Sequence, residues 1–153
     1  MVPGNFTLGQ LHRVIQIVMG WEDDHLHIFR VGDKDYENEY MTLMRLAPAE
    51  KFKFRYLYDF GDNWLHDILV EKILPPAPTQ ELPLCIKGAR ACPPEDVGGI
   101  WGYYDFLEAR RNPDHPAHDH YMEWFEEEWD EEAFDLNKAN ERLRACWQRT
   151  KRG

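Results

Sequence analysis

Leu8, Leu11, Val14, Ile15, Val18 and Met19 recur at helical spacing, and this periodicity predicts a helix over Leu8–Met19. Its ends carry matching signals. Thr7 and Gln10 form a capping box, in which a hydroxyl and an amide three residues apart satisfy each other's free backbone amides. Phe6 and Leu11 are placed to staple the entry, and Gly20 suits a left-handed stop. The face of Leu11, Ile15 and Val18 is expected to lie on a sheet.

The period then changes. Residues 25–31 alternate, with His25, His27, Phe29 and Val31 on one side, and are expected to form a strand that turns at Gly32-Asp33. Residues 36–45 read as a short strand followed by a loop. Phe52, Phe54, Tyr56 and Tyr58 fall on one side of a second strand, and Trp64, His66, Ile68 and Val70 on one side of a third. Between these two strands lies Asp59-Phe60-Gly61-Asp62-Asn63. Gly61 and Asn63 tolerate positive φ, and the aspartates can accept bonds from turn amides. Residues 52–58 and 64–73 are therefore expected to form a β-hairpin with a loop of about five residues. Pro75-Pro76 ends the last strand, and an irregular stretch follows to about Gly99. Helices are expected over 103–110, over His118–Trp124, and from an N-cap at Asp135 onward, with Leu136, Ala139, Leu143, Cys146 and Trp147 turned inward. The order of elements gives an α+β fold: an antiparallel or mixed sheet containing the hairpin, packed by the N-terminal helix and the C-terminal helices. At 153 residues the chain is sized for one domain, residues 1–153.

Composition narrows the function. The net charge is -10, from 28 acids and 18 bases, so strong nucleic-acid binding is not expected. Three cysteines do not make a disulfide framework, and no apolar run approaches a membrane span. A reducing cytoplasm is the expected compartment. The chain contains no serine, so it offers no serine nucleophile.

Several blocks carry candidate chemistry. "YDFGDNWLHDI" combines Asp59, Asp62, Trp64 and His66. Two carboxylates and an imidazole could bind a divalent metal or act as an acid/base pair; equally, the aspartates could cap turn amides while His66 packs on the sheet. His25 and His27 share one side of a strand and could supply two ligands to a metal completed from elsewhere, with Asp59 as a further candidate. "CPPEDVGG" is rigid at its prolines and permissive at Gly98 and Gly99, with Glu95 and Asp96 between. It could brace the sheet or line a site. Cys85 and Cys92 are too far apart for a usual zinc pair. His115, His118 and His120 invite a metal reading, but Pro113 and Pro116 suggest a surface loop. The expected site is a groove between the hairpin loop and the Pro-Pro loop, with Asp62, Trp64, His66, Glu95, Asp96, Gly98 and Gly99 as ligand-binding candidates. The sequence does not name a cofactor; a divalent metal is a candidate. The expected function is a binding or adaptor module for a protein or peptide partner; metal-assisted hydrolysis by the clustered Asp, His and Glu side chains is the alternative.

"FTLGQLHRVIQIVMGWEDDHLHIF", "YDFGDNWLHDI", "CIKGARACPPEDVGGIWGYYDFLEA" and "EEAFDLNKANERLR" occur in that order. Together they resemble the pRi-plasmid ORF-three-like family, whose members are sometimes labelled transposon-resolvase-like. The resemblance covers nearly the whole chain and implies a link to mobile elements, but no catalytic residues. A serine resolvase needs the residue this chain lacks. The resemblance also implies a strand ahead of the first helix with a Pro-x-Trp-Arg-like stretch, which is not found here. An open sheet edge is therefore expected, and with it a homodimer formed through that edge.

Overall fold

A computed structural model describes residues 1–77, 79–125 and 129–150. The elements run α1 (Leu8–Met19), β1 (His27–Val31), β2 (Lys34–Tyr36), α2 (Leu43–Leu46), β3 (Lys53–Tyr58), β4 (Trp64–Leu69), α3 (Gly99–Arg111), α4 (His118–Trp124) and α5 (Leu136–Thr150). The four strands form one antiparallel sheet in the order β2-β1-β3-β4. The fold is thus α+β. Among the described residues no helix is long and apolar enough to cross a membrane.

The capping box closes α1 in both directions, and Gly20 ends it at φ 79°. On β3, Phe54, Tyr56 and Tyr58 are buried while Lys53 and Arg55 face water, as a strand with one covered face requires. Register aligns the inner faces into rows. His27, Tyr58 and Trp64 make one row; Phe29, Tyr56 and His66 make the next. Leu8 and Leu11 of α1 join the main core with Phe29, Phe54, Tyr56, Tyr58, Trp64 and Phe106. A smaller cluster forms on the other side of α1, where Phe6, Val14 and Leu143 are buried and Val18 and Trp147 pack against them.

Several expectations need correction. Val18 packs towards α5, not the sheet, because α1 is covered on two sides. β1 begins at His27 rather than His25, and β4 ends at Leu69, short of the residue-73 boundary; the charged pair Glu71-Lys72 and then Pro75 follow. The loop expected at 36–45 contains the short α2. α3 starts at Gly99, four residues before its expected first turn. The hairpin loop spans residues 59–63, closed by the Asn63 amide on the Asp59 carbonyl at 2.6 Å. α5 follows Asp135, whose side chain accepts from the Lys138 amide at 2.9 Å. Asn140 on α5 clamps the long loop: its amide group bonds the Cys85 carbonyl at 2.8 Å and its oxygen accepts the Cys85 amide at 2.9 Å.

Candidate functional site

The hairpin loop and the Pro-Pro loop meet, and the meeting is tight. Asp62 Oδ2 accepts the Gly98 amide at 3.0 Å, which puts a carboxylate at the positive end of α3. Gly99 has φ 68°, and a Cβ there would collide with the Asp62 carbonyl oxygen. At this junction the loops touch instead of leaving a groove. Trp64 is a core residue, tilted against Trp21 at 6.0 Å.

Glu95 braces the same region. One of its oxygens accepts the Tyr58 hydroxyl, and the other accepts the Glu22 amide at 2.7 Å. Trp21 donates its indole N–H to the Pro93 carbonyl at 3.0 Å and stacks on Tyr58 at 4.9 Å. His66 donates from Nδ1 to the Tyr56 carbonyl at 3.2 Å and meets the edge of Trp21 at 5.6 Å. Burial holds the His66 pKa below the ordinary histidine value, so the ring is neutral at pH 7. Burial, with the Glu95 contact, raises the Tyr58 pKa, and burial likewise raises that of Tyr56.

Among the described residues, two groups bring three metal-competent side chains within 4.8 Å of one another. The first is His25, Asp59 and Asp96. His25 Nε2 lies 2.9 Å from Asp96 Oδ1 and 3.7 Å from Asp59 Oδ2. That nitrogen is closed to solvent and paired with Asp96, although the contact is poorly aligned as a hydrogen bond. Burial alone would lower the His25 pKa, but the charges of Asp59 and Asp96, the direct contact with Asp96 and the charge of Glu95 outweigh it and raise the pKa. Asp59 works twice: Oδ1 accepts the Gly61 amide at 2.8 Å and the Asp62 amide at 3.2 Å, while Oδ2 faces His25.

The second group is His12, Asp23 and His27. The His12 and His27 rings stack at 3.5 Å with 4° between planes. His12 Nδ1 is 2.7 Å from the Tyr56 hydroxyl, the hydroxyl oxygen accepts from Gln16 Nε2 at 2.9 Å, and His12 Nε2 is 2.7 Å from Asp23 Oδ1. Burial and the neighbouring His12 lower the His27 pKa. Asp23, Asp59 and Asp96, the carboxylates of both groups, all have left-handed backbone, at φ 65°, 56° and 60°. Aspartate tolerates this better than most residues, and such conformations gather at functional sites.

With that geometry in hand, comparison with known proteins places the chain. Residues 1–138 match the plasmid pRiA4b ORF-3-like protein family. The chain belongs to this family. A relative, uncharacterised protein y4hQ of Sinorhizobium fredii, is 38% identical over 169 residues, spanning 99% of this chain and 87% of its own length. A solved structure, that of a protein of unknown function, MM3350, from Methanosarcina mazei Go1, is 36% identical. It superposes with a TM-score of 0.75 over 89% of this chain and 84% of its own.

In this ORF-3-like protein His25 and His27 belong to different groups, and His25 lies ahead of β1. His115, His118 and His120 are engaged separately: His115 lies 3.5 Å from Asp105, His118 donates to the Ala109 carbonyl at 2.7 Å, and His120 packs on Tyr121. None of the three cysteines is in a disulfide, and burial pushes the Cys92 thiol up to about 12. Sequence reasoning missed His12 and Asp23. A signal for His12 exists: with Gln16 it makes a polar i, i+4 pair inside the apolar stripe of α1, and both are buried.

Proposed function

We propose that the protein is a divalent-cation-binding module whose site is His25, Asp59 and Asp96. The observation that carries this reading is the meeting of His25 Nε2 with carboxylate oxygens of Asp96 and Asp59 at 2.9 and 3.7 Å, three ligand atoms within 4.8 Å of one another. One imidazole and two carboxylates suit a hard or borderline ion such as Mn²⁺ or Mg²⁺. Asp96 is exposed, so an ion held there keeps coordination positions for water. The reaction class available to it is metal-assisted hydrolysis, in which the ion lowers the pKa of its bound water. The bound ion would also tie β1, the hairpin loop and the Pro-Pro loop together, with Asp62, Gly98 and Gly99 fixing the loops and Glu95 and Trp64 bracing them from the core side.

A second reading, a module for a protein or peptide partner, is favoured by large apolar side chains left in water at the start of α3. Trp101 is 86% exposed and Tyr104 62%. With Ile100 they place three exposed apolar side chains on one turn of α3, and contiguous exposed apolar patches mark interaction sites. The two readings are compatible, since the helix that presents Trp101 begins at the loops the ion would order.

Calorimetric titration of metal-free protein with Mn²⁺ tests the cation site. One ion per chain is expected, with affinity reduced at least tenfold in Asp96→Asn and in His25→Gln. Wild-type affinity in both variants, or no Mn²⁺ binding by the parent protein, would refute it.

A further inference from the structure

We propose that His12, Asp23 and His27 form a second metal site, selective for a transition metal such as Zn²⁺, Ni²⁺ or Co²⁺. The proposal goes beyond the cation site above and uses none of its side chains.

Two histidines and a carboxylate are the donor set of borderline ions, which imidazole favours and which Mg²⁺ does not match. Here they lie close together: one atom from each residue is within 4.8 Å of the others. Both imidazoles are withdrawn from water, with His12 at 8% and His27 at 13% side-chain exposure. Two stacked histidines add little apolar area to a core, so packing alone is a weak reason for them.

The support behind His12 is that of a ligating histidine. A metal-bound imidazole donates its other N–H to a fixed acceptor, which sets the tautomer and the ring plane. His12 Nδ1 has that acceptor in the buried Tyr56 hydroxyl at 2.7 Å, and Gln16 holds the hydroxyl from the next turn of α1. This leaves His12 Nε2 directed at Asp23. Without an ion, Nε2–H donates to Asp23 Oδ1 at 2.7 Å and Nδ1 accepts the Tyr56 O–H; with one, the ring carries its proton on Nδ1 instead, and the ion lies between Nε2 and the carboxylate. Gln16 Oε1, buried and without a partner, fits the second arrangement too. If the amide is turned over, its oxygen accepts the Tyr56 O–H, and Tyr56 is then free to accept from His12 Nδ1–H.

Asp23 is half exposed and gives the group an approach from solvent. Glu39 Oε1 is 3.8 Å from His27 Nε2, and Glu39 lines a surface cavity of about 510 Å³ with Arg13 and Tyr40. Coordination by both rings would open their parallel stack, so loss of stacking is a mark of loading.

The experiment titrates metal-free protein with Zn²⁺ and, separately, with Mn²⁺, following heat and the ¹⁵N shifts of the histidine rings. Asp23→Asn is the main variant, because Asp23 is half exposed and its loss leaves the core intact. His27→Gln is the second. Zn²⁺ should move the His12 and His27 ring nitrogens. Its affinity for this site should fall at least tenfold in Asp23→Asn and be kept in Asp96→Asn. Mn²⁺ should show the opposite preference. Unchanged Zn²⁺ binding in Asp23→Asn, or ring shifts confined to His25, would overturn the second site and leave the first standing. Loss of Mn²⁺ selectivity alone would count only against the first.

Discussion

Asp59 holds a turn with one oxygen and faces His25 with the other, so its two duties can be separated by substitution. Asparagine can accept the same amide bonds and tolerates φ 56°. Asp59→Asn should therefore keep the melting temperature within a few degrees and lower Mn²⁺ affinity about tenfold, near 1.4 kcal/mol. Asp59→Ala should lose both functions and destabilise by about 2 kcal/mol, from lost turn bonds and a strained alanine. Chemical denaturation beside metal titration separates the two. The histidines give a pH dependence whose sign follows from their surroundings. The folded pKa of His66 lies below 6.5. Above pH 6.5 both folded and unfolded chains are neutral there. As pH falls below 6.5 the unfolded chain takes the proton first, so stability is lost down to the lower folded value. His25 is opposite: its contribution is complete below 6.5 and lost as pH rises through its raised folded value. His66→Gln should flatten the acid decline of the melting temperature between pH 6.5 and 5, and His25→Gln should not. An acid limb left unchanged by His66→Gln would exclude His66 as its source.

Elements held by local signals were legible, and elements held by distant contacts were not. α1 was readable because Thr7, Gln10 and Gly20 act within a few residues of one another. The hairpin was readable from the alternation of Phe54, Tyr56 and Tyr58 and from the turn residues. The start of α3 was not. Gly98 and Gly99 argue against a helix locally, and it is Asp62, 36 residues earlier, that fixes the Gly98 amide. The joining of His12 to Asp23 was hidden for the same reason: an apolar pattern marks the stripe on α1 but says nothing about what a polar residue within it meets. The Gly99–Asp62 approach makes a sharp test at this scale. Gly99→Ala adds a Cβ at positive φ directly against a backbone carbonyl. It should destabilise the protein by about 2 kcal/mol or more in urea unfolding. Gly32→Ala, also at positive φ but with open space around it, should cost less.

At the scale of the whole molecule, charge sets what can approach. A net charge of -10 concentrates cations near the surface and repels polyanions. Fluorescence anisotropy with a labelled duplex should give no saturable binding at physiological salt. A salt-sensitive, sub-micromolar isotherm would contradict this. The sheet adds a second property. Among the described residues β2 and β4 each pair on one side only. β2 has three residues, whereas β4 has six and carries Leu65 and Leu69 half in water. Of the two, β4 is the edge better able to recruit another strand.

Trp21 is buried between Tyr58, Trp64 and His66, with its N–H tied to Pro93, while Trp101 stands almost wholly in water. The same chain thus holds one indole in a rigid, dry setting and another in a wet one. Their light emission differs accordingly: with Trp124, Trp129 and Trp147 replaced by phenylalanine, the blue-shifted part would report on the core at Trp21 and Trp64, and the red-shifted part on the outer face of α3. Events at the inner sheet and at the helix surface can therefore be followed in one cuvette, by colour, without attaching a dye.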